Sequence, residues 1–368
     1  MSLWLDGGHR SYPQLNTDVS ADVAVVGGGI AGVATAYFLA RGGARVVLLE
    51  ARGIAEGASG RNAGFILAGV AENFAVASRR YGEERARRIW RFTKRTQELV
   101  RLIVAEHDIA CELAWNGSLQ IAGDDAEWSE IQESVRGLAG LGVHGTLDPG
   151  ARSACYPGDG EFHPVHFVRG LAAAAASSGA SLHESSPVTA ISGGVVRTES
   201  TSVRAGAVVL CTNAYTAHLW PSRVRPVRGQ MLATAPTKRV FDRPAYANRG
   251  YRYWRQTADG RVLVGGWRDE AVEEEIGEEE RSTPLIQARL DDFLREHAID
   301  ARVTHRWAGI MGFSHDALPY IGGVATGVLV CGGFTGHGMA FGVASAELAA
   351  ALARGERHPD ADLFDPAR

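Results

Sequence analysis

The strongest constraint on the fold of this chain is the segment ADVAVVGGGIAGVATAYFLARGGARVVLLE at residues 21–50. Its first six residues form an apolar run typical of a buried strand, and a cluster of glycines follows directly. The pattern then predicts a helix over residues 30–41 and a second apolar strand over residues 45–49. A strand, a glycine turn, a helix and a second strand in this order predict a βαβ unit with parallel strands.

The glycines of this unit have the spacing of a dinucleotide-binding turn. Gly27 permits the tight turn, Gly29 has no Cβ to keep a pyrophosphate away, and Gly32 lets the helix pack closely on the sheet. The N terminus of the helix then faces the phosphates. Glu50 follows the second strand, where a carboxylate can accept hydrogen bonds from a ribose. The segment therefore predicts an adenine-dinucleotide site.

Composition narrows the class of protein. With 368 residues the chain is long enough for two domains, and its net charge of -4 gives no basic field for nucleic acid. No apolar run reaches the ~18 residues of a membrane helix, and the N terminus lacks a signal-peptide pattern. The four cysteines lie far apart in sequence without metal-ligand spacing. We therefore expect a cytoplasmic enzyme with reduced thiols, no metal site and neither nucleic acid nor membrane as a partner.

Two further glycine-rich segments favour a flavin over a nicotinamide cofactor. The loop GASGRNAG at residues 57–64 has small residues that let the backbone approach a flat ring. Residues 327–355 repeat the strand, glycine loop and helix, with Gly336 and Gly338 at the start of the helix. The positive end of a helix can stabilise the negative charge of a reduced isoalloxazine. An NAD-dependent dehydrogenase, the alternative, would continue with further strand–helix units instead.

Four segments resemble the D-amino-acid-oxidase-like (DAO) family of FAD enzymes. They are the segment of residues 21–50 that ends in Glu50, the loop GASGRNAG, the strand VVLCTNAYT at residues 208–216 and the turn GFTGHGMAFG at residues 333–342. The opening SLWLDGGHRSYPQL and the segment YRYWRQTADGRVLVGG look most like the γ-glutamylputrescine oxidase branch, beside glycine and sarcosine oxidase. The resemblance extends from residue 3 to about residue 355.

The resemblance implies an α/β fold of the GR2 flavoprotein type. A Rossmann-like FAD-binding domain is expected from residues 18–70, 152–216 and 318–368. A second, α+β substrate domain on a large antiparallel sheet is expected from residues 71–151 and 217–317. The glutamates of residues 273–280 are expected in a solvated loop without function.

The resemblance also implies which residues hold FAD. The linkage is expected to be non-covalent, because the cysteine and histidine positions of covalent relatives fall near Gly309 and Asn62. The expected FAD-binding residues are Gly27, Gly29, Ile30, Ala31, Gly32, Glu50, Ala51, Arg52, Ser59, Gly60, Arg61, Asn62, Ala63, Gly64, Val188, Thr212, Asn213, Gly333, Phe334, Thr335, Gly336, His337, Gly338 and Met339.

The chemistry implied by the family is hydride transfer from the carbon beside an amine nitrogen to flavin N5, followed by hydrolysis of the imine. Because the cofactor performs the difficult step, the protein orients a neutral amine and excludes water. The residues expected to contact the reacting substrate are Tyr253, Tyr251 and His315. The other pocket residues expected are Phe65, Ile66, Met311, Arg252 and Trp254.

Two departures from the family bear on the reaction. Related amino-acid oxidases hold the substrate carboxylate with an arginine in a WAGLR-type segment, and the matching WAGIM places Met311 there. This favours an amine without an α-carboxylate, or one whose carboxylate lies further out near Arg252 or Arg255. The lysine that promotes reaction with oxygen in sarcosine oxidase is replaced near Leu263, which leaves His337 or an arginine to supply positive charge. Oxygen and another electron acceptor both stay open.

Several alternatives remain at this point. A glycine, sarcosine or D-amino-acid oxidase or dehydrogenase would share the fold and cofactor. A flavoprotein that modifies tRNA would need a basic groove, which the net charge of -4 disfavours. A non-catalytic flavin-binding subunit is disfavoured by the aromatic residues expected over the pocket.

Overall fold

The segment over residues 21–50 forms the βαβ unit that its sequence predicts. A computed structural model describes residues 1–8 and 11–368 of the chain. Strand β1 (Val19–Val26) leads through the glycine turn into helix α1 (Ile30–Arg41), and strand β2 (Val46–Leu49) returns parallel to β1. All four residues of β2 are buried because helices cover this sheet, which explains the continuous apolar run.

The first sheet extends this unit to eight strands. Its order is β17-β18-β11-β1-β2-β8, with β9 and β10 attached beside β11. Strand β11 pairs in parallel with β1, so the carboxyl ends of β1, β2 and β11 meet at one edge. The remaining strands of this sheet are β8 (Ser181–His183), β9 (Ala190–Ser192), β10 (Val195–Arg197), β11 (Ser202–Leu210), β17 (Tyr320–Ala325) and β18 (Val328–Gly332).

The second sheet is the broad sheet predicted for the substrate half of the chain. Its eight strands run in the order β16-β12-β15-β14-β13-β4-β6-β5, and a two-stranded sheet joins β3 to β7. Most neighbours are antiparallel, while β13 pairs in parallel with β4. The strands are β3 (Phe65–Ile66), β4 (Ser118–Ile121), β5 (Thr146–Asp148), β6 (Ser153–Tyr156), β7 (Gly160–Glu161), β12 (Arg225–Pro236), β13 (Ala245–Ala247), β14 (Arg252–Gln256), β15 (Arg261–Gly266) and β16 (Val303–Phe313).

Helices pack on the sheets and form the main core. Helix α1 packs on α5 and α7 beside the first sheet, and α3 also packs on α5 and α7. Helix α7 buries residues on nearly its whole circumference, which fits its apolar sequence AFGVASAELAAALA. The helices after α1 are α2 (Phe74–Tyr81), α3 (Glu83–His107), α4 (Asp125–Ala139), α5 (Pro164–Ser177), α6 (Pro284–Glu296) and α7 (Gly338–Ala353).

Two boundaries differ from the sequence prediction. Strand β6 (Ser153–Tyr156) pairs with β4 in the second sheet, although residues from 152 onward were predicted in the cofactor domain. The predicted strand over residues 208–216 ends at Leu210, and a 3-10 turn over Asn213–His218 follows. The remaining division of the chain into two domains stays a prediction.

Helix α3 (Glu83–His107) is the long helix of the chain, and its exposed face is rich in arginine and glutamate. Among residues 1–8 and 11–368, no helix is both long enough and apolar enough to span a membrane.

Candidate active site

A cavity of about 980 Å³ extends from the carboxyl ends of the parallel strands to the second sheet. Val26, Leu49 and Cys211 at the ends of β1, β2 and β11 contribute to one end. Tyr246 and Tyr253 of the second sheet contribute to the other. This is the edge at which open α/β sheets bind ligands, so the topology alone places the candidate site here.

The glycine turn at this edge is shaped by close backbone approach. Gly27 has a φ of +109°, and a Cβ on it would lie 2.7 Å from the carbonyl oxygen of Cys211. A Cβ on Gly32 would lie 1.9 Å from the carbonyl oxygen of Gly27. Gly32 therefore packs against the backbone of the turn and does not line the cavity. Gly27 and Gly29 line the cavity. Gly29 caps helix α1 without a side chain, which leaves the N terminus of the helix open to an anion.

Glu50 stands at the end of β2 and holds the glycine turn. Its carboxylate accepts hydrogen bonds from the backbone N–H of Gly28 at 2.6 Å and of Arg52 at 2.8 Å. Burial raises the pKa of Glu50, while those two hydrogen bonds act in the opposite direction. The carboxylate thus lines the cavity and stabilises the turn at the same time.

The loop over residues 57–64 folds on itself through Asn62. The Asn62 side chain accepts a hydrogen bond from Gly64 N at 2.7 Å and donates to Ser59 O at 2.8 Å. The indole N–H of Trp4 donates to the Asn62 carbonyl at 2.6 Å. Gly60 and Gly64 face protein backbone, because a Cβ on either would lie within 2.4 Å of a carbonyl oxygen. Both glycines therefore let the loop pack closely on protein backbone, and their contact with FAD stays a prediction.

The second glycine turn is joined to the end of β11. Asn213 has a φ of +47°, and its side-chain oxygen accepts a hydrogen bond from Gly333 N at 2.9 Å. Gly333 itself points toward Tyr320 and Val224 and lies outside the cavity lining, unlike its predicted neighbours from Phe334 to Met339. The N terminus of helix α7 has no side-chain cap and opens to the cavity.

His337 precedes helix α7 and lies between the main cavity and a side cavity of about 70 Å³. Burial lowers the pKa of His337 to about 4, so its imidazole is neutral at pH 7. Its ring stacks on Tyr246 with centroids 6.1 Å apart. A neutral imidazole carries no positive charge, so of the two groups expected to supply it, an arginine is favoured over His337.

Aromatic and apolar side chains form the end of the cavity at the second sheet. The ring centroids of Phe65 and Tyr246 are 5.3 Å apart, and those of Tyr246 and Tyr253 are 5.9 Å apart. Burial raises the pKa of Tyr253 to about 12, so its phenol stays protonated and can donate a hydrogen bond. Met311 fills space beside two glycines: its Cε lies 2.9 Å from a Cβ built on Gly229, and its Sδ lies 3.5 Å from one built on Gly336.

Strand alternation corrects three of the predicted pocket residues. Successive side chains of a strand point to opposite faces, so a pocket receives every second residue. Phe65 lines the cavity, and the next residue, Ile66, is fully buried in the core. Tyr253 likewise lines the cavity, while its neighbours Arg252 and Trp254 lie outside the lining.

The predicted pocket residues that lie outside the cavity lining contact other parts of the protein. Arg252 forms an ion pair with Asp269, and the Trp254 ring packs on Phe293 at 4.9 Å. His315, predicted to contact substrate, hydrogen bonds with the Tyr320 hydroxyl at 2.6 Å and lies outside the cavity lining. Tyr251 lines the cavity, and its contact with the substrate stays a prediction.

Arg255 is also unavailable as a carboxylate anchor. Its buried guanidinium pairs with Glu161 at 3.0 Å and donates to the carbonyl oxygen of Phe162 at 2.9 Å. Neither of the two arginines predicted for a distant carboxylate therefore faces the cavity.

The acidic segment over residues 273–280 was predicted as a solvated loop; Glu273, Glu274, Glu279 and Glu280 are exposed, but Glu275 is not. Glu275 is 1% exposed and pairs at 3.0 Å with Arg228, which is 3% exposed. Glu280 pairs at 2.9 Å with both Arg52 and Arg61, which belong to the cofactor half of the chain. Glu278 and Glu280 of this segment line the cavity. Arg228 lies within the apolar strand β12. A charged residue in such a strand is the sequence signal that could have predicted a buried acidic partner.

Sequence reasoning also missed residues that reach the cavity from distant segments. These are Leu67, Val70, Tyr246, Arg249, Arg268, Phe313, Tyr215, His218, Glu278 and Glu280. Tyr246 carried the same signal as Tyr253, an aromatic residue on a short strand. Arg268 carried none, because it follows β15 in a turn.

The side cavity contains a buried carboxylate. Asp159 accepts hydrogen bonds from Ser118 Oγ at 2.7 Å, Gln97 Nε2 at 2.9 Å and Ala68 N at 3.0 Å. Burial raises the pKa of Asp159 to about 6, although all three hydrogen bonds oppose the rise. Its donors are all protein groups, so the side chain has a structural role between α3, β4 and β7.

Glu112, His163 and His166 also lie together, with possible ligand atoms within 4.8 Å of one another. The two imidazole rings stack with centroids 3.5 Å apart and an angle of 7° between their planes. His163 accepts the backbone N–H of His166 at 3.2 Å, as the cap of helix α5. The lone pair of an imidazole nitrogen lies in the plane of its ring, so two parallel stacked rings do not direct their lone pairs at one point. The ligands of a tetrahedral zinc ion must converge on the ion, so this cluster does not suit zinc.

Comparisons with known proteins place this geometry among flavoproteins. The profile of the family described as FAD dependent oxidoreductase (DAO) matches residues 22–352 of the chain. Gamma-glutamylputrescine oxidoreductase of Escherichia coli is 28% identical over 385 residues, which cover 97% of this chain and 88% of the relative. Probable oxidoreductase OrdL of Rhizobium meliloti is 29% identical over 378 residues, which cover 94% of this chain and 86% of the relative.

A solved structure has the same fold. Glycine oxidase from Geobacillus kaustophilus superposes with a TM-score of 0.81 and 23% sequence identity, over 95% of this chain and 99% of that chain. The likeness confirms the predicted fold class, in which a parallel sheet and an antiparallel sheet meet at one cavity.

Proposed function

The chain belongs to the FAD-dependent oxidoreductase (DAO) family, and we propose that it oxidises the carbon–nitrogen bond of an amine whose reacting carbon carries no carboxylate. The observation that carries this proposal is the apolar side chain of Met311 in the cavity wall. By the sequence resemblance, related amino-acid enzymes hold the substrate carboxylate with an arginine at this position. A carboxylate left against a thioether without a partner would cost several kcal/mol.

We assign FAD to the cavity from the fit of the residues at its parallel-strand edge. The uncapped N terminus of α1 beside Gly29 suits a pyrophosphate, and Glu50 suits a ribose hydroxyl. The uncapped N terminus of α7 suits the electron-rich edge of a reduced isoalloxazine. Bound FAD supplies the chemistry by accepting two electrons and the hydrogen removed from the carbon beside the nitrogen.

The protein's own contribution is to position the amine and keep water out. Phe65, Tyr246 and Met311 give that end of the cavity an apolar surface, which favours the neutral amine. Tyr253 stays protonated and can donate a hydrogen bond from its hydroxyl to the substrate. No side chain has to take a proton from carbon in such a reaction, because the hydrogen leaves with its electrons.

Cationic side chains in the lining support a longer amine. Besides Tyr253, the residues that line the cavity include Arg249 and Arg268. The Escherichia coli relative is named for a long amine substrate, gamma-glutamylputrescine. We infer that this chain takes a primary or secondary amine of that kind, with oxygen or another acceptor to reoxidise the cofactor.

Anaerobic reduction of the flavin tests the proposal. Matched amines with and without an α-carboxylate are mixed with the purified protein, and bleaching of the flavin absorbance gives the reduction rate. We expect longer amines to reduce the flavin faster than glycine, sarcosine or D-amino acids. A clear advantage for the α-carboxylated members would overturn the proposal and favour an amino-acid oxidase.

Two variants of one position sharpen this test. Met311→Arg restores a guanidinium and should raise the rate with α-carboxylated amines by about tenfold or more. Met311→Leu conserves apolar volume and should keep the preference of the native protein. Equal behaviour of the two variants would show that position 311 does not contact the substrate.

A further inference from the structure

Arg268 is a cationic side chain at the end of the cavity formed by the second sheet. Strand β15 ends at Gly266, and Trp267 follows in the left-handed region with a φ of +61°. The turn brings Arg268 to the cavity lining. Its guanidinium carbon lies 5.0 Å from the ring centroid of Tyr251 and 4.8 Å from that of Phe313. Two aromatic rings therefore hold the guanidinium in place.

Arg268 differs from the other arginines of the cavity in having no acidic partner. Five arginines line the cavity in the described part of the chain. Four of them pair with a carboxylate: Arg52 and Arg61 with Glu280, Arg80 with Glu72, and Arg249 with Asp124. Within the same residues, no carboxylate lies within ion-pair distance of Arg268.

The acids closest to Arg268 in sequence are held by other arginines. Asp269 pairs with Arg252 of strand β14. Glu270 pairs with Arg289 of helix α6 at 2.7 Å. The chain thus supplies neutralising groups to the arginines around Arg268 and none to Arg268 itself. Its charge acts inside the cavity, where it opposes the rise in the pKa of the Tyr253 phenol caused by burial.

We propose that Arg268 binds a carboxylate at the far end of the amine substrate, several bonds away from the reacting carbon. A guanidinium that stacks on aromatic rings keeps its N–H edge free for two parallel hydrogen bonds to a carboxylate. This inference rests on the proposed amine oxidation and adds a specificity-determining residue to it.

The spacing along strand β16 sets the distance between the two ends of the substrate. Met311 and Phe313 are two residues apart, so they share one face and lie about 7 Å from each other. Met311 excludes a carboxylate from the reacting carbon, and Arg268 contacts the ring of Phe313. A carboxylate on Arg268 is therefore separated from that carbon by a chain of several methylene groups.

A chain-length series tests this separation. Linear ω-amino acids of increasing length, starting with glycine, are compared with alkylamines of the same length in anaerobic flavin reduction. We expect no advantage of the carboxylate in the shortest members. At one intermediate length the carboxylated amine should be favoured by about 10- to 100-fold.

Variants assign that advantage to its residue. Arg268→Gln should abolish the ratio at the favoured length, and Arg268→Lys should retain part of it, because lysine keeps the charge without the planar fork. Arg295→Gln is the control for the loss of one positive charge, since Arg295 is exposed on helix α6 and lies outside the cavity lining, and it should keep the native ratio. As a readout without turnover, hexanoate binding followed by the flavin difference spectrum should weaken by about 10- to 100-fold in Arg268→Gln alone.

The outcomes separate this inference from the proposed function. If neither series reduces the flavin, amine oxidation itself is refuted. If alkylamines reduce the flavin and no length gives the carboxylated series an advantage, Arg268 does not bind a carboxylate and amine oxidation stands. An advantage that survives Arg268→Gln also refutes the assignment to Arg268. The FAD content of each variant verifies that it folds.

Discussion

Asp159 lends itself to a quantitative prediction, because it is a buried carboxylate that isosteric substitution can neutralise. Its three donors are Ser118, Gln97 and Ala68. In Asp159→Asn the amide oxygen can still accept from Gln97 and Ala68, and the amide nitrogen can donate to Ser118 Oγ. The substitution therefore removes the charge and conserves the shape of the network.

The magnitude follows from the pKa of Asp159, which burial raises from 3.8 to about 6. A raised carboxyl pKa means that the folded state binds the proton more tightly, so stability is lost as the pH rises from 3.8 through about 6. The cost of ionisation amounts to about 1 kcal/mol at pH 4.5 and about 3 kcal/mol at pH 8. Asp159→Asn is free of this cost, so its stability relative to the native protein should improve by about 2 kcal/mol between these pH values.

Urea unfolding with excess FAD, followed by circular dichroism at pH 4.5 and pH 8, measures this difference. Asp300→Asn, a substitution of an exposed aspartate, controls for the loss of one negative charge and should change stability equally at both pH values. A pH-independent effect of Asp159→Asn would refute the reasoning, because the native carboxyl would then titrate alike in the folded and unfolded states. A loss of stability in Asp159→Asn, relative to the native protein, that grows with pH would refute the predicted direction of the effect.

The remaining predictions concern the cofactor and the segments around it. Acid precipitation should release FAD into the supernatant, and flavin retained in the pellet would contradict non-covalent binding. Glu50→Ala should weaken FAD binding by about 1–3 kcal/mol in a fluorescence titration, and an unchanged affinity would remove Glu50 from the site. Glu275→Gln should lower the free energy of unfolding by about 3–5 kcal/mol, because Arg228 keeps a buried charge without a partner; a change below 1 kcal/mol would contradict this. Gly32→Ala should greatly reduce FAD content, since its Cβ would lie 1.9 Å from a carbonyl oxygen, whereas Gly323→Ala meets no atom within 4 Å and should retain FAD.

The cofactor half of the cavity was predictable because it is built from local backbone geometry. The spacing of Gly27, Gly29 and Gly32 determines a turn and a helix N terminus within a few residues. Glu50 stands at a fixed distance along the chain, and its hydrogen bonds to the turn follow from the βαβ unit. A local rule needs no knowledge of the rest of the fold, so the residue numbers could be read from the sequence.

The substrate half was less predictable because strand register decides which side chain faces the cavity. The segment YRYW was assigned to the pocket as a block, and alternation admits only its tyrosines. The partner of each charge is equally non-local: Glu280 pairs with arginines more than two hundred residues away in sequence. Arg268 became a candidate only when the pairing of its neighbours was known.

Strand β16 shows how the two halves of the site are coupled. Gly309, Met311 and Phe313 occupy alternate positions and all line the cavity. A Cβ on Gly309 would lie 2.7 Å from the side chain of Arg61 in the cofactor loop, while Phe313 contacts Arg268 at the other end. Met311 between them has space bounded by glycines, so the residue at position 311 can change without disturbing the strand. We therefore expect that substitution at this one position alters substrate preference, because Gly309 contacts the cofactor loop and Phe313 contacts Arg268 independently of it.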